Sequence, residues 1–325
     1  MRAGRSGVEV RRPAVYLAVA AVLALGTVLI PTDAPATAGP PPAPAAPAAA
    51  APAAPCTEVR ESLAPDGPLP PPGAMPPGST MAAIAARGRL IAGVDQGKYL
   101  VGYRNPLTGE LAGSDIDIVR RIATAIFGDP GRVQFVVFDI ADRVRAVEQK
   151  QVDVVVNNFT ITCARQRTVE FSSAYQEATQ RLLVPVGAGV REVEDLAGAR
   201  VCTSTGSTTE RALAALPLEL EVVTEASIPD CVIRMQAGQV AAVSSDDVIL
   251  AGLAAQDPQT EVVGRALDTA RYGVGISPDS PDLVRFVNAV LERGRDDGSL
   301  EESFQRWLGE QLDPVPPPPP ARYRD

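Results

Sequence analysis

The chain has 325 residues, a net charge of −9 and no histidine. The missing imidazole excludes Ser-His-Asp triads, Cys-His pairs and HExxH zinc sites together. The acidic balance argues against a nucleic-acid partner, which wants a basic surplus. The four cysteines, at 56, 163, 202 and 231, show none of the CxxC spacing of zinc or thioredoxin-type sites.

The N-terminus sets the compartment. Arg11-Arg12 precede an apolar run from Ala14 to Ile30, and Ala36-Thr37-Ala38 follows as a small-x-small cleavage pattern. Residues 1–38 therefore read as an export signal or an uncleaved anchor, and the protein as exported, either secreted or tethered at the cell surface. Outside the cytoplasm an even cysteine count is a disulfide count. Cys56 is a poor lipoprotein cysteine, because Pro55 precedes it and the apolar run is distant. Residues 39–80 are rich in Ala, Pro and Gly and read as an extended spacer. Residues 313–325 read as a Pro-rich disordered tail, with a PxxP ligand as the sharper alternative.

Between them, strand and helix patterns alternate. Leu90 to Val94 is an apolar strand ending at Asp95. Ser114 and Asp117 suggest a capping box, after which Ile116, Val119, Ile122, Ala123 and Ile126 recur at helical spacing. Val133 to Phe138 is a strand, Ala141 to Lys150 a short helix and Val152 to Val156 a buried strand. This βαβαβ order implies a parallel sheet. A second unit repeats the plan, with strands at Ala199 to Thr203 and Glu219 to Val223, a helix capped at Ser207 with Glu210, and a helix from Ile228 to Ala237. Gln239-Val240 running into Ser244-Ser245-Asp246 matches in kind Gln151-Val152 running into Asn157-Asn158. A strand from Tyr272 to Ser277 and helices from Pro281 to Arg295 and Leu300 to Leu308 close the body.

Ligands of open parallel sheets bind beyond the carboxyl ends of the strands. The unusual polar residues fall there: Asp95, Thr160 with Arg165, Thr205-Gly206-Ser207, and Asp246. Hydroxyls, N–H groups and a guanidinium suit a small carboxylate, and Asp246 suits a cation, so the pair suits a zwitterion. Each residue also has a plainer use: Thr160 in loop hydrogen bonding, Arg165 on the surface, Ser207 and Asp246 as helix caps.

These segments carry a resemblance. Gly113-Ser114-Asp115-Ile116-Asp117-Ile118, Val152-Asp153 running into Thr160-Ile161-Thr162 and Arg165, Glu170-Phe171-Ser172, Ser204-Thr205-Gly206-Ser207 and Ser245-Asp246-Asp247 occur in that order over about 90–308. The chain resembles the periplasmic-type (family 3) amino-acid-binding proteins of ABC transporters, glutamate/glutamine branch. Asp95-Gln96, Tyr103 to Pro106, and Cys202 with Cys231 look most like its actinobacterial glutamate-binding members. The resemblance implies an α/β fold of type II, two-lobed, each lobe a mostly parallel sheet flanked by helices. Residues 81–179 and 271–312 would form lobe 1 and residues 180–270 lobe 2, joined by a hinge. Arg165 would hold a ligand α-carboxylate with Thr160 and the Thr205-Gly206-Ser207 turn, and Asp246 would take the α-ammonium. Lys98, Arg104 and Arg143 are the basic candidates for the ligand side chain, with Arg143 alternatively on a solvated helix face. Asn158 stands where the family has a small residue, and no aromatic stands at Lys98 or Ile140, where many relatives stack one on the ligand. Cys202 pairs best with Cys231, leaving Cys56 with Cys163. The implied function is binding of glutamate or aspartate, with glutamine an option, by a monomer without cofactor, for delivery to an ABC permease. The alternatives are a sensor signalling to a membrane protein and, further off, a dehydratase on the same scaffold.

Overall fold

The computed structural model describes residues 58–325. The export segment, the first part of the spacer and Cys56 lie outside the described residues. The elements in chain order are α1 (Thr80–Arg87), β1 (Leu90–Val94), β2 (Gly97–Lys98), β3 (Gly102–Arg104), β4 (Leu111–Ala112), α2 (Ser114–Phe127), β5 (Val133–Val137), α3 (Arg143–Glu148) and β6 (Val154–Val155). Next come β7 (Glu170–Phe171), β8 (Gln176–Pro185), β9 (Arg200–Ser204), α4 (Thr208–Ala215), β10 (Glu221–Glu225), α5 (Ile228–Gln236), β11 (Ala242–Asp246) and α6 (Asp247–Gln256). The chain ends with β12 (Thr260–Val263), β13 (Thr269–Tyr272), β14 (Gly275–Ile276), α7 (Pro281–Asp296) and α8 (Ser299–Leu308).

Two sheets organise these elements. The first runs β5-β1-β6-β14-β7 and the second β10-β9-β11-β8-β12, with β13 also paired to β8. In each, the strands of the βαβ units are parallel, whereas β14 and β7, or β8 and its other partners, run antiparallel. Each sheet is thus mostly parallel, as expected, with a single reversed strand, β14 in the first and β8 in the second. The reversed strands lie next to the crossings between the sheets, β8 directly after β7 and β14 directly after β13, and sequence periodicity does not report strand direction. A small antiparallel sheet, β2-β3-β4, extends from the first unit.

Helix α2 shows how patterning becomes packing. Ile116, Val119, Ile122, Ala123 and Ile126 are fully buried, as their spacing requires, and the helix packs on β1. Its start differs from the expected capping box. Gly113 precedes it at φ 125°, where a Cβ would stand 2.3 Å from the Val101 carbonyl oxygen, and no side chain caps it. Asp117 instead accepts hydrogen bonds from Ser303 Oγ (2.7 Å) and Trp307 Nε1 (2.8 Å) of α8. Helix α4 keeps its cap: Ser207 Oγ accepts from the Glu210 N–H at 3.0 Å. Cys202 and Cys231 form the expected disulfide between β9 and α5.

Both terminal segments depart from expectation. Residues 58–80 are not merely spacer, since Ser62 and Met75 are buried and Leu63 and Leu69 pack on the core. The tail is held as well. Val315 is buried, Tyr323 bridges to Ser62, and Arg324 pairs with Glu170. Proline-rich composition lowers the capacity to form a core, but it does not prevent an extended strand from docking on one.

The two units are in contact beyond the sheets. β2 of the first packs against α5 and α6 of the second. Gly252 of α6 lies so close that a Cβ there would stand 2.3 Å from the Tyr99 carbonyl oxygen. Overpacking of this kind costs ~1–3 kcal/mol. Gly252→Ala is therefore expected to hold the units apart. Small-angle X-ray scattering should show a larger radius of gyration than wild type with unchanged circular dichroism; an identical radius would contradict this reading of the contact.

Candidate functional site

The ends of β1, β6, β9 and β11 bring the polar residues together where the two units meet. Lys98 is buried, with its ammonium 3.1 Å from Asp95 Oδ2 and donating to Asn157 Oδ1 at 2.7 Å. Arg143, also buried, donates to the carbonyl oxygens of Ile140 (3.0 Å), Asn157 (2.6 Å) and Asn158 (3.1 Å). Its position at the start of α3 puts it beneath the loop rather than on a solvated face. Arg165 is 7% exposed and donates to the Thr160 carbonyl (2.8 Å), with a longer bond to the Gly206 carbonyl (3.4 Å) from the second unit. The two guanidiniums also share the Phe159 ring, at 4.7 and 5.1 Å from its centroid. Among the described residues, neither has a carboxylate at ion-pair distance.

Acidic groups complete the cluster. Asp246 at the end of β11 is buried and accepts the Tyr272 hydroxyl; its carboxylate makes no capping bond to α6. Asp115, on the buried face of α2, accepts the Tyr175 hydroxyl and the Asn158 N–H, both at 2.7 Å. Tyr175 and Tyr272 flank the crossing between the sheets, with ring centroids 6.3 Å apart. Asn158 holds φ 44°, and its buried side-chain amide has no hydrogen-bond partner; the same is true of Gln176. Thr160 Oγ1 meets Thr208 Oγ1 across the units at 3.4 Å. The arrangement is that of lobes drawn together.

Burial dominates the electrostatics. It lowers the Lys98 ammonium against the opposing pull of Asp95, brings Arg143 down to about 10, and pushes Arg165 well below its ordinary value, with the Arg143 charge adding to the effect. It raises Asp115 and Asp246 to about 6 and the Tyr175 and Tyr272 hydroxyls well above their usual range. Asp246 lies within electrostatic reach of Arg165 and Arg143. Buried charges that lack direct counter-ions are costly, and a ligand carrying both signs would offset that cost.

Several expected residues stand elsewhere. Arg104 is exposed on β3 and donates to Gln96 Oε1 (3.1 Å) and the Gly109 carbonyl (2.7 Å), outside the cluster. Its neighbour Tyr103 turns to the opposite side, against Tyr99 and Trp307. Thr205 is exposed, and the N–H groups of the Thr205–Ser207 turn are already taken, by the Glu225 carbonyl, Glu210 Oε2 and the Ser204 carbonyl respectively. That turn is therefore not a free anion nest. Cys163, two residues before Arg165, is disulfide-bonded, and its expected partner Cys56 lies outside the described residues. Sequence reasoning gave no role to Asp115, Tyr175 or Tyr272. For Asp115 a signal existed: it sits on the apolar stripe of α2, with Ile118, Val119 and Ile122 at i+3, i+4 and i+7. No His/Cys/Asp/Glu group among the described residues is arranged to hold a metal ion.

The raised carboxyls carry a pH signature. A carboxyl whose folded pKa is raised keeps its proton at pH values where the unfolded chain has lost it. These groups therefore lose stabilising effect as pH rises towards about 6. Asp246→Asn keeps an acceptor for Tyr272 and removes this penalty. It should raise the melting temperature of the ligand-free protein at pH 7.5, by the equivalent of about 2 kcal/mol, with the gain gone near pH ~4. A variant less stable than wild type at pH 7.5 would show that Asp246 is structural.

The family of bacterial extracellular solute-binding proteins, family 3, matches residues 90–310. A glutamine-binding protein of an ABC transporter from Bacillus subtilis is 31% identical over 232 residues, covering 71% of this chain and 85% of that protein. A glutamate-binding protein from Corynebacterium efficiens is 28% identical over 247 residues, covering 72% and 82%. In fold, the chain is similar to the crystal structure of a cysteine-binding protein from Campylobacter jejuni, with a TM-score of 0.69 at 22% identity over 73% of this chain and 96% of that one. These matches establish that the chain belongs to the family 3 bacterial extracellular solute-binding proteins.

Proposed function

We propose that the protein closes on a free α-amino acid with an acidic side chain, glutamate or aspartate, and delivers it to an ABC permease. The observation that carries the reading is the presence in one buried cluster of Arg165, from the unit of β6, and Asp246, from the unit of β11, within electrostatic reach but not ion-paired. Arg165 takes the α-carboxylate, helped by the hydroxyls of Thr160 and Thr208. Asp246, oriented by Tyr272, takes the α-ammonium. Each charge comes from a different lobe, so the ligand neutralises both only when the lobes are together.

The side chain is read by what remains. Arg143 uses Nε and Nη1 on carbonyl oxygens, and its Nη2 has no hydrogen bond to a described residue. That donor, with the Lys98 ammonium nearby, favours a second carboxylate. Glutamine is the second reading. The unpartnered amides of Asn158 and Gln176 suit a carboxamide, and one similar protein is named for glutamine.

Titration calorimetry tests the assignment. Arg165→Ala should weaken binding by more than about 2 kcal/mol for every α-amino acid, because a buried charge loses its partner. Arg143→Ala should weaken glutamate and aspartate about a hundredfold, on the scale of a lost charged hydrogen bond, while changing glutamine only a few-fold. Unchanged affinity in Arg165→Ala would remove the α-carboxylate assignment. Equal losses for glutamate and glutamine in Arg143→Ala would make that residue structural.

A further inference from the structure

The loop that carries Arg165 is held from outside the solute-binding fold. Gln166 is buried, and its side-chain amide pairs with the backbone of Arg60: Oε1 accepts the Arg60 N–H and Nε2 donates to the Arg60 carbonyl, both at 2.7 Å. The Arg60 guanidinium returns to the Gln166 carbonyl oxygen at 2.5 Å. Three hydrogen bonds thus join one residue of the N-terminal arm to the residue next to Arg165, in the short helical turn Arg165–Arg167.

The arm is in turn fixed by the C-terminus. Ser62 pairs with Tyr323 as a parallel bridge, its N–H donating to the Arg322 carbonyl (3.3 Å) and its carbonyl accepting the Arg324 N–H (3.0 Å). Ser62 Oγ donates to the Phe171 carbonyl of β7 at 2.7 Å. Arg324 grips both oxygens of Glu170 (3.0 and 3.2 Å) and also donates to the Glu61 carbonyl (2.7 Å). Glu170 lies 4.0 Å from the Arg60 guanidinium. A continuous chain of contacts therefore runs from Arg324 through Glu170 and Glu61 to Arg60, Gln166 and Arg165.

We propose that residues 58–64 and 321–325 form a clasp that sets the position of Arg165, with Gln166 and Arg324 as its positioning residues. The inference rests on Arg165 reading the ligand α-carboxylate. Gln166 is suited to the task, since its carboxamide presents a donor and an acceptor side by side, matching the N–H and carbonyl of Arg60. A guanidinium held on carbonyl oxygens and a ring has no ion pair to fix it, so its placement depends on the rigidity of its backbone.

The test compares glutamate with its α-carboxamide, isoglutamine, by titration calorimetry on the full chain. Wild type should strongly prefer the free α-carboxylate, and Arg165→Ala should abolish that preference. Gln166→Ala and Arg324→Ala should each narrow it, the former by about tenfold, because a loosened guanidinium loses geometry rather than charge. The double variant should do little more than Gln166→Ala alone, as members of one contact chain are not additive. Arg324 is partly exposed, so its variant keeps the test open should Gln166→Ala melt early. If Arg165→Ala erases the preference while both clasp variants retain it in full, the clasp is only structural and the proposal falls. If Arg165→Ala itself keeps the preference, the α-carboxylate assignment fails and the clasp loses its function with it.

Discussion

Two buried guanidiniums that share one phenylalanine ring, with no carboxylate at ion-pair distance among the described residues, are the constraint on which the site depends. Arg143 and Arg165 are ion-paired with none of the three acids of the cluster: Asp95 pairs with Lys98, Asp115 is engaged by Tyr175 and the Asn158 N–H, and Asp246 belongs to the facing unit. Carbonyl oxygens and the face of Phe159 carry them instead. Such a site is poorly stable on its own and strongly improved by an anion. On the proposed reading, that imbalance would favour lobe closure on a ligand, the free energy coming from finishing an incomplete set of ion pairs.

The crossing strands place this chemistry. β8 and β13 run side by side through the junction, and Tyr175 and Tyr272 stand at their ends with their hydroxyls on Asp115 and Asp246. One tyrosine therefore serves each carboxylate, and both rings sit in the core that joins the units. Movement at the crossing must carry these hydroxyls with it, which links the acids to the hinge. Gly252 lets the units approach closely here, since a Cβ would stand 2.3 Å from the Tyr99 carbonyl oxygen.

Much of this was legible in the sequence, for physical reasons. Helical spacing from Ile116 to Ile126 and the β-branched run before Asn157 are local signals, and they located α2 and β6. Polar residues after apolar strands marked the candidate loops, although each also had a plainer use, and Ser207 does cap its helix. Long-range effects were not legible. Whether Arg104 turns inward depends on β3 pairing, and whether the Thr205–Ser207 N–H groups are free depends on Glu210 and Glu225. The docked tail escaped notice because proline content reports weak self-association, while Arg324 and Tyr323 find their partners some 150 or more residues away.

A crystal structure of the protein with bound glutamate bears most directly on the central claim. The account predicts the α-carboxylate on the Arg165 guanidinium, the α-ammonium on Asp246 and the side-chain carboxylate towards Arg143, with the lobes shut. A ligand held with its ammonium away from Asp246, or with Arg165 turned to solvent, would contradict it.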